Sequence, residues 1–178
     1  FDNSGNLYVS DSHQGKIFKV TPQVAPDLTS QKEISLYAQG LDKPVGLVFD
    51  NSGILFAADK DKGIIYKINS GGSLTPFVSG IKKPRWPAFA PNGDLYVTAD
   101  GLTGLIPKPK NDVILKITPI GQISLFMDEL HDPEGLVFDK AGNLIVLIEK
   151  LHKEGEDEGT TILKIAPNGI MTSILSGH

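Results

Sequence analysis

Several side chains stand where they could do chemistry together. Asp11, Asp59, Asp100 and Glu149 each close a short β-rich segment, and Asp61 follows Asp59 closely. Three loops replace one another along the chain: Asp42-Lys43-Pro44-Val45, Lys82-Lys83-Pro84-Arg85-Trp86 and His131-Asp132-Pro133-Glu134. Val45, Arg85 and Glu134 hold one step of that loop, and Trp86, the sole tryptophan, stands where the sister loops have Gly46 and Gly135. Arg85 offers a planar fork for a carboxylate or phosphate. Trp86 offers a flat apolar face for stacking. Carboxylates gathered near one axis attract a cation, and oxygen donors suit calcium. The candidate ligand set is therefore Arg85, Trp86, Glu134, Asp100 and Glu149, and the candidate metal set is Glu134, Asp100 and Asp59. A plainer reading stands beside it. An aspartate at a strand end accepts backbone hydrogen bonds and ties the turn, Trp86 packs at a rim, and Arg85 pairs with Glu134 or faces solvent.

Other chemistry is excluded or unsupported. There is no cysteine, which removes disulfides, thiolate metal sites and thiol catalysis. His13 and His131 do not stand at metal-ligand spacing and read as polar loop residues, while His152, in a longer loop, carries slightly more weight. No glycine-rich phosphate loop, G-x-S-x-G elbow or H-E-x-x-H occurs, so no catalytic residue is assigned. A formal net charge of -4 argues against nucleic acid as partner. No run approaches the roughly 18 apolar residues of a membrane helix. A periplasmic or secreted location is the expectation.

The elements that must position these residues come from a repeat. One phrase begins at Phe1, Phe49, Phe89 and Phe138, with offsets of 48, 40 and 49 residues, a period typical of propellers and solenoids. Each phrase reads strand, turn, strand, with the glycine of Asn51-Ser52-Gly53 or Pro91-Asn92-Gly93 in the tight turn. A third strand follows, carrying Lys19, Lys67, Lys116 or Lys164 at a fixed step between apolar residues, so the lysine is expected to point outward. A fourth strand closes the unit. Its copy Ser73-Leu74-Thr75-Pro76-Phe77-Val78 contains a proline, which suits an edge. Four antiparallel strands per repeat make a propeller blade. The expectation is an all-β propeller of four blades, with units at about 1–48, 49–88, 89–137 and 138–178, inner strands near 45–49, 85–90 and 134–138, and no helix.

The first unit keeps only Phe1 of its inner strand, and the chain stops at Ser176-Gly177-His178, where another inner strand would start. A fragment of a larger ring is expected, with bare β edges that allow edge-to-edge self-association. Inner-strand starts and second-strand ends share one face, here called the top. The insertions 101–111 and 150–159 rise from that face in adjacent blades, whereas Thr21 to Lys32 lies on the opposite, peripheral side.

The run Leu41-x-x-Pro44-x-Gly46-Leu47-x-Phe49-Asp50-x-x-Gly53-x-Leu55-x-x-x-Asp59, continued by Gly63-x-Ile65-x-Lys67-Ile68, resembles the NHL repeat and the blades of the SMP-30/gluconolactonase-like superfamily. The resemblance implies a six-bladed ring of which four blades are present. It also implies a calcium ion near the central channel, held in the lactonase relatives by a glutamate, asparagines and aspartates. Here Gly46, Trp86-Pro87 and Gly135 fill the inner-strand starts, and Glu134 is the acid in that register. The functional expectation is a binding or scaffold propeller whose top face takes a small molecule or protein around the channel. The alternative is a calcium-dependent hydrolase of the gluconolactonase or lactonase type.

Overall fold

The computed structural model describes residues 1–22, 33–104, 112–150 and 160–176. Short runs rich in β-branched and aromatic residues, punctuated by glycine turns, give antiparallel strands throughout, and there is no helix among the described residues. The first blade holds β1 (Leu7–Asp11), β2 (Lys16–Thr21) and β3 (Glu33–Gln39). The second holds β4 (Pro44–Phe49), β5 (Leu55–Asp59), β6 (Ile64–Ile68) and β7 (Leu74–Ser79), paired in that order. Pro76 lies on β7, the outer edge, where a missing N–H costs least. The third blade begins with the two-residue β8 (Ile81–Lys82) and continues with β9 (Pro87–Phe89) and β10 (Leu95–Ala99). β11 (Gly101–Leu102) pairs back onto β8, and β12 (Asp112–Ile117) pairs with β10.

One strand serves two blades. β13 (Ile123–Phe138) pairs with β12 through its first half and with β14 (Leu144–Lys150) through its second. β15 (Thr161–Ile165) and β16 (Met171–Ser176) complete the fourth blade. The expected loop at 131–134 is thus strand, and the inner strand of this blade begins earlier than 134. The chain absorbs Pro133 with a register shift before Gly135 and a left-handed Asp132 (φ 40°).

Blades pack face to face through their second strands. Every residue of β5 and β10 is buried, because each strand is covered by a blade on either side. An aromatic near the start of the second strand links adjacent blades. Phe56 meets Phe77 of its own blade and Phe89 of the next, with centroids at 5.4 and 4.9 Å. Tyr8 does the same with Tyr37 and Phe49, and Tyr96 with Phe126 and Phe138. All six contacts are edge-to-face, the arrangement favoured by the ring quadrupoles. The lysine on the third strand does not simply face water. Lys67 lies over the rings of Phe77 and Phe56, its Nζ at 4.4 and 5.4 Å from their centroids.

The result is a four-blade partial propeller. β1 and β16 end their sheets, and neither pairs with the other or with any strand on its outer side among the described residues.

Candidate functional site on the top face

The inner strands lie side by side around the axis. A Cβ on Gly46 would overlap the Arg85 carbonyl and the Pro87 ring, so only glycine lets β4 come this close to the next blade. This approach fixes Arg85 and Trp86 at the rim. Their backbones are also locked to β10, since Arg85 N–H donates to the Thr98 carbonyl at 2.9 Å. Trp86 N–H donates to the buried Thr98 Oγ1 at 3.1 Å. A cleft of about 390 Å³ runs along the axis, lined by Ser10, Val45, Gly46, Trp86, Pro87 and Leu136 among others. Ser10 donates its hydroxyl to the Val45 carbonyl at 2.8 Å and ties the first blade to the second there.

Arg85, next in the chain to the cleft-lining Trp86, is the centre of a charged cluster whose own side chains do not line the cleft. Its Nη1 is 2.6 Å from Asp100 Oδ1, and its Nη2 is 2.9 Å from Asp112 Oδ2. The first contact is an aligned hydrogen bond, and the second is an ion contact off the hydrogen-bonding direction. Lys83 Nζ meets the other Asp100 oxygen at 2.8 Å. Lys83 has φ 46°, a left-handed conformation rare for a residue with a side chain and rarer before a proline. It shares this conformation with Asp132 at the same step of the next blade.

The two carboxylates respond in opposite directions. Burial pushes both upward. At Asp100 the hydrogen bonds from Lys83 and Arg85 outweigh burial and hold it below the ordinary aspartate value. At Asp112 burial prevails over the pull of Arg85, helped by the charges of Asp100 and Asp132, and its pKa is raised.

The other candidate residues lie elsewhere or stand alone. Asp59 is fully buried, and its carboxylate accepts the N–H groups of Asp42 and Lys43 at 2.8 and 3.0 Å. It clamps the entry to the inner strand. Asp11 accepts from the N–H groups of His13 and Gln14 within its own turn. Glu134 is exposed on β13, and Arg85 pairs with Asp100 and Asp112 rather than with it. The side chain of Glu149 lies outside the described residues, as do 105–111 and 151–159 of the two insertions. Glu134, Asp100 and Asp59 do not converge, and among the described residues no three acid or histidine side chains could hold a metal together.

The fold aligns with solved structures across nearly the whole chain. A virginiamycin B lyase from Staphylococcus aureus aligns over 98% of this chain with a TM-score of 0.68 and 18% identity. A gluconolactonase from Xanthomonas campestris aligns over 98% with a TM-score of 0.67 and 14% identity. The chain shares their β-propeller fold. A chain of a nidogen/laminin complex also aligns, over 97% with a TM-score of 0.70 and 19% identity, so the same fold serves a protein complex as well as enzymes. This propeller spans 53%, 58% and 62% of the lengths of those three structures. No family model and no curated protein matches its sequence.

Asp112 and Thr98 escaped the reading of this propeller's sequence. Asp112 had a signal. It stands where sister blades have Gly15, Gly63 and Thr160, and an acid in that place is out of pattern. Thr98 had little, because a threonine in a strand is ordinary.

Proposed function

We propose that this propeller belongs to an enzyme of the lactonase or lyase type, working at the top of the axis on a small organic substrate that carries a carbonyl or carboxylate. The observation that carries the proposal is the Arg85 guanidinium, held between two aspartates at 2.6 Å from Asp100 and 2.9 Å from Asp112. Titratable groups whose surroundings push their pKa values apart can divide the roles of acid and base. Asp100 stays ionised and fixes the direction of Arg85. Asp112, the weaker acid, is the group that exchanges a proton. Arg85 and Lys83 attract the substrate oxygen and oppose the negative charge that develops on it. Trp86 supplies the flat face beside the cleft.

Metal dependence is a separate proposal. The described residues do not fit a calcium site, because Asp59 is committed to backbone N–H groups and Asp100 to two cations. Calcium bound through the exposed Glu134 would need its other oxygen donors from outside the described residues.

The test is turnover of a panel of lactones, esters and elimination substrates by the purified protein, with and without chelator. We expect Arg85→Ala to lower kcat/KM by about 100-fold. Asp112→Asn is expected to lower kcat more than it raises KM. Lack of turnover on every class, with tight capture of a protein partner through the same face, would replace the enzyme reading with the scaffold one.

A further inference from the structure

A second cavity opens on the opposite face, between the third and fourth blades. Its volume is about 390 Å³, within the range of small-ligand pockets. Its walls include Tyr96, Phe126, Phe138 and Leu144, with Pro91 and Pro167 at the lips.

The second blade shows why it is open. There the matching aromatic group, Phe56, Phe77 and Phe89, is covered by the blade's own lysine, Lys67, which lies across two of the rings. In the third blade the matching lysine is drawn aside. Lys116 Nζ is 2.8 Å from Asp94 Oδ2. Asp94 occupies the step of Asn6, Ile54 and Asn143, while Ala90 replaces the turn aspartate of the sisters, Asp2, Asp50 and Asp139. The acid has moved four residues along the turn, the lysine has followed it, and the rings of Tyr96, Phe126 and Phe138 are left without that cover.

Charge then selects the occupant. Among the described residues the charged side chains lining the cavity are Lys116, already paired with Asp94, and Lys140. Asn92 adds an amide at the lip, although its Nδ2 already donates to Asp94 at 2.8 Å. An apolar aromatic floor with Lys140 exposed at its mouth suits a flat ring bearing one carboxylate. We propose that this cavity is a binding site for a small aromatic carboxylate, with the ring over Tyr96 and Phe126 and the carboxylate toward Lys140. The site is on the face away from Arg85, and its occupancy does not depend on the enzyme reading.

Phenylacetate, with phenylacetamide as its uncharged counterpart, is the probe, followed by amide chemical-shift titration of the purified protein. We expect saturable shifts in residues 90–93 and 138–142, with the amide binding about tenfold more weakly. Lys140→Met changes an exposed residue and should weaken phenylacetate by about tenfold while leaving phenylacetamide unaffected. Ala90→Asp restores the residue of the three sister turns, adds a negative charge at the lip, and should weaken binding at least as much. The proposal is overturned by an absence of saturable shifts at millimolar phenylacetate, by equal affinity for the acid and the amide, or by a Lys140→Met protein that binds like wild type.

Discussion

Asp59 and Asp100 show how one residue step decides what a carboxylate does. Both follow a second strand, but Asp59 is its fifth residue and Asp100 its sixth, and successive side chains on a strand face opposite ways. Asp59 turns inward to the N–H groups of Asp42 and Lys43. Asp59→Ala leaves those donors without their acceptor in a site closed to water. It should cost about 3 kcal/mol by urea denaturation, since bonds to a charged group are the stronger kind. Asp100 turns to Arg85 and Lys83 and is partly exposed, so Asp100→Asn should cost nearer 1 kcal/mol at neutral pH. Its folded pKa is depressed. The stabilisation is therefore complete above the unfolded value and is lost as pH falls through the folded one. Asp112 behaves oppositely. Its folded pKa is raised, so its ionised form burdens the fold at neutral pH, and wild type gains stability as pH falls through that pKa. Thermal melts across the acid range should show Asp112→Asn at its best, relative to wild type, at neutral pH and declining below. The four strand-end acids were legible as a recurring group. Counting steps along the strand was what separated Asp59 from Asp100, and the partner of Arg85 was hidden because Asp112 lies beyond a long insertion.

At the scale of the elements, the aromatic contact between blades gives the sharpest expectation. Phe56→Ala removes a ring buried against two others and should cost about 3–5 kcal/mol. Phe1 begins the same phrase as Phe49, Phe89 and Phe138, yet is 79% exposed, and Phe1→Ala should leave stability within about 0.5 kcal/mol of wild type. Glycines at one step divide in the same way. Gly46→Ala forces backbone against backbone at the axis and should both destabilise the fold and displace Arg85, whereas nothing lies within 4 Å of a Cβ on Gly135. Chemical denaturation of the two variants separates them. Strands, turns and blade order were legible because the phrase repeats in register with glycine at each turn. β13 was not, because the polar stretch His131-Asp132-Pro133-Glu134 reads as a loop, and only the left-handed Asp132 and the register shift let the strand pass through it.

For the whole molecule, the outer faces of the end blades expose what the inner interfaces bury. Val137 and Ile174 are 58% and 55% exposed on the fourth blade, and Val9 is 44% exposed on the first, where its counterpart Ala57 is fully buried. Apolar sheet faces with unpaired edges associate. Sedimentation velocity should show concentration-dependent association that Ile174→Asp reduces, and an ideal monomer at all concentrations would contradict this. The blades are also not joined alike. The second meets the third through the short connection after β7, but the third and fourth share the backbone of β13 and cannot separate without losing its ladder on one side or the other. Local opening of a protein follows such seams. In native-state hydrogen exchange, the amides of β12 to β15 should therefore open as one cooperative block, with those of β5 and β6 on a separate free-energy level. The aromatic-lined cavity lies within that block, so a ligand held there would slow exchange in both blades at once.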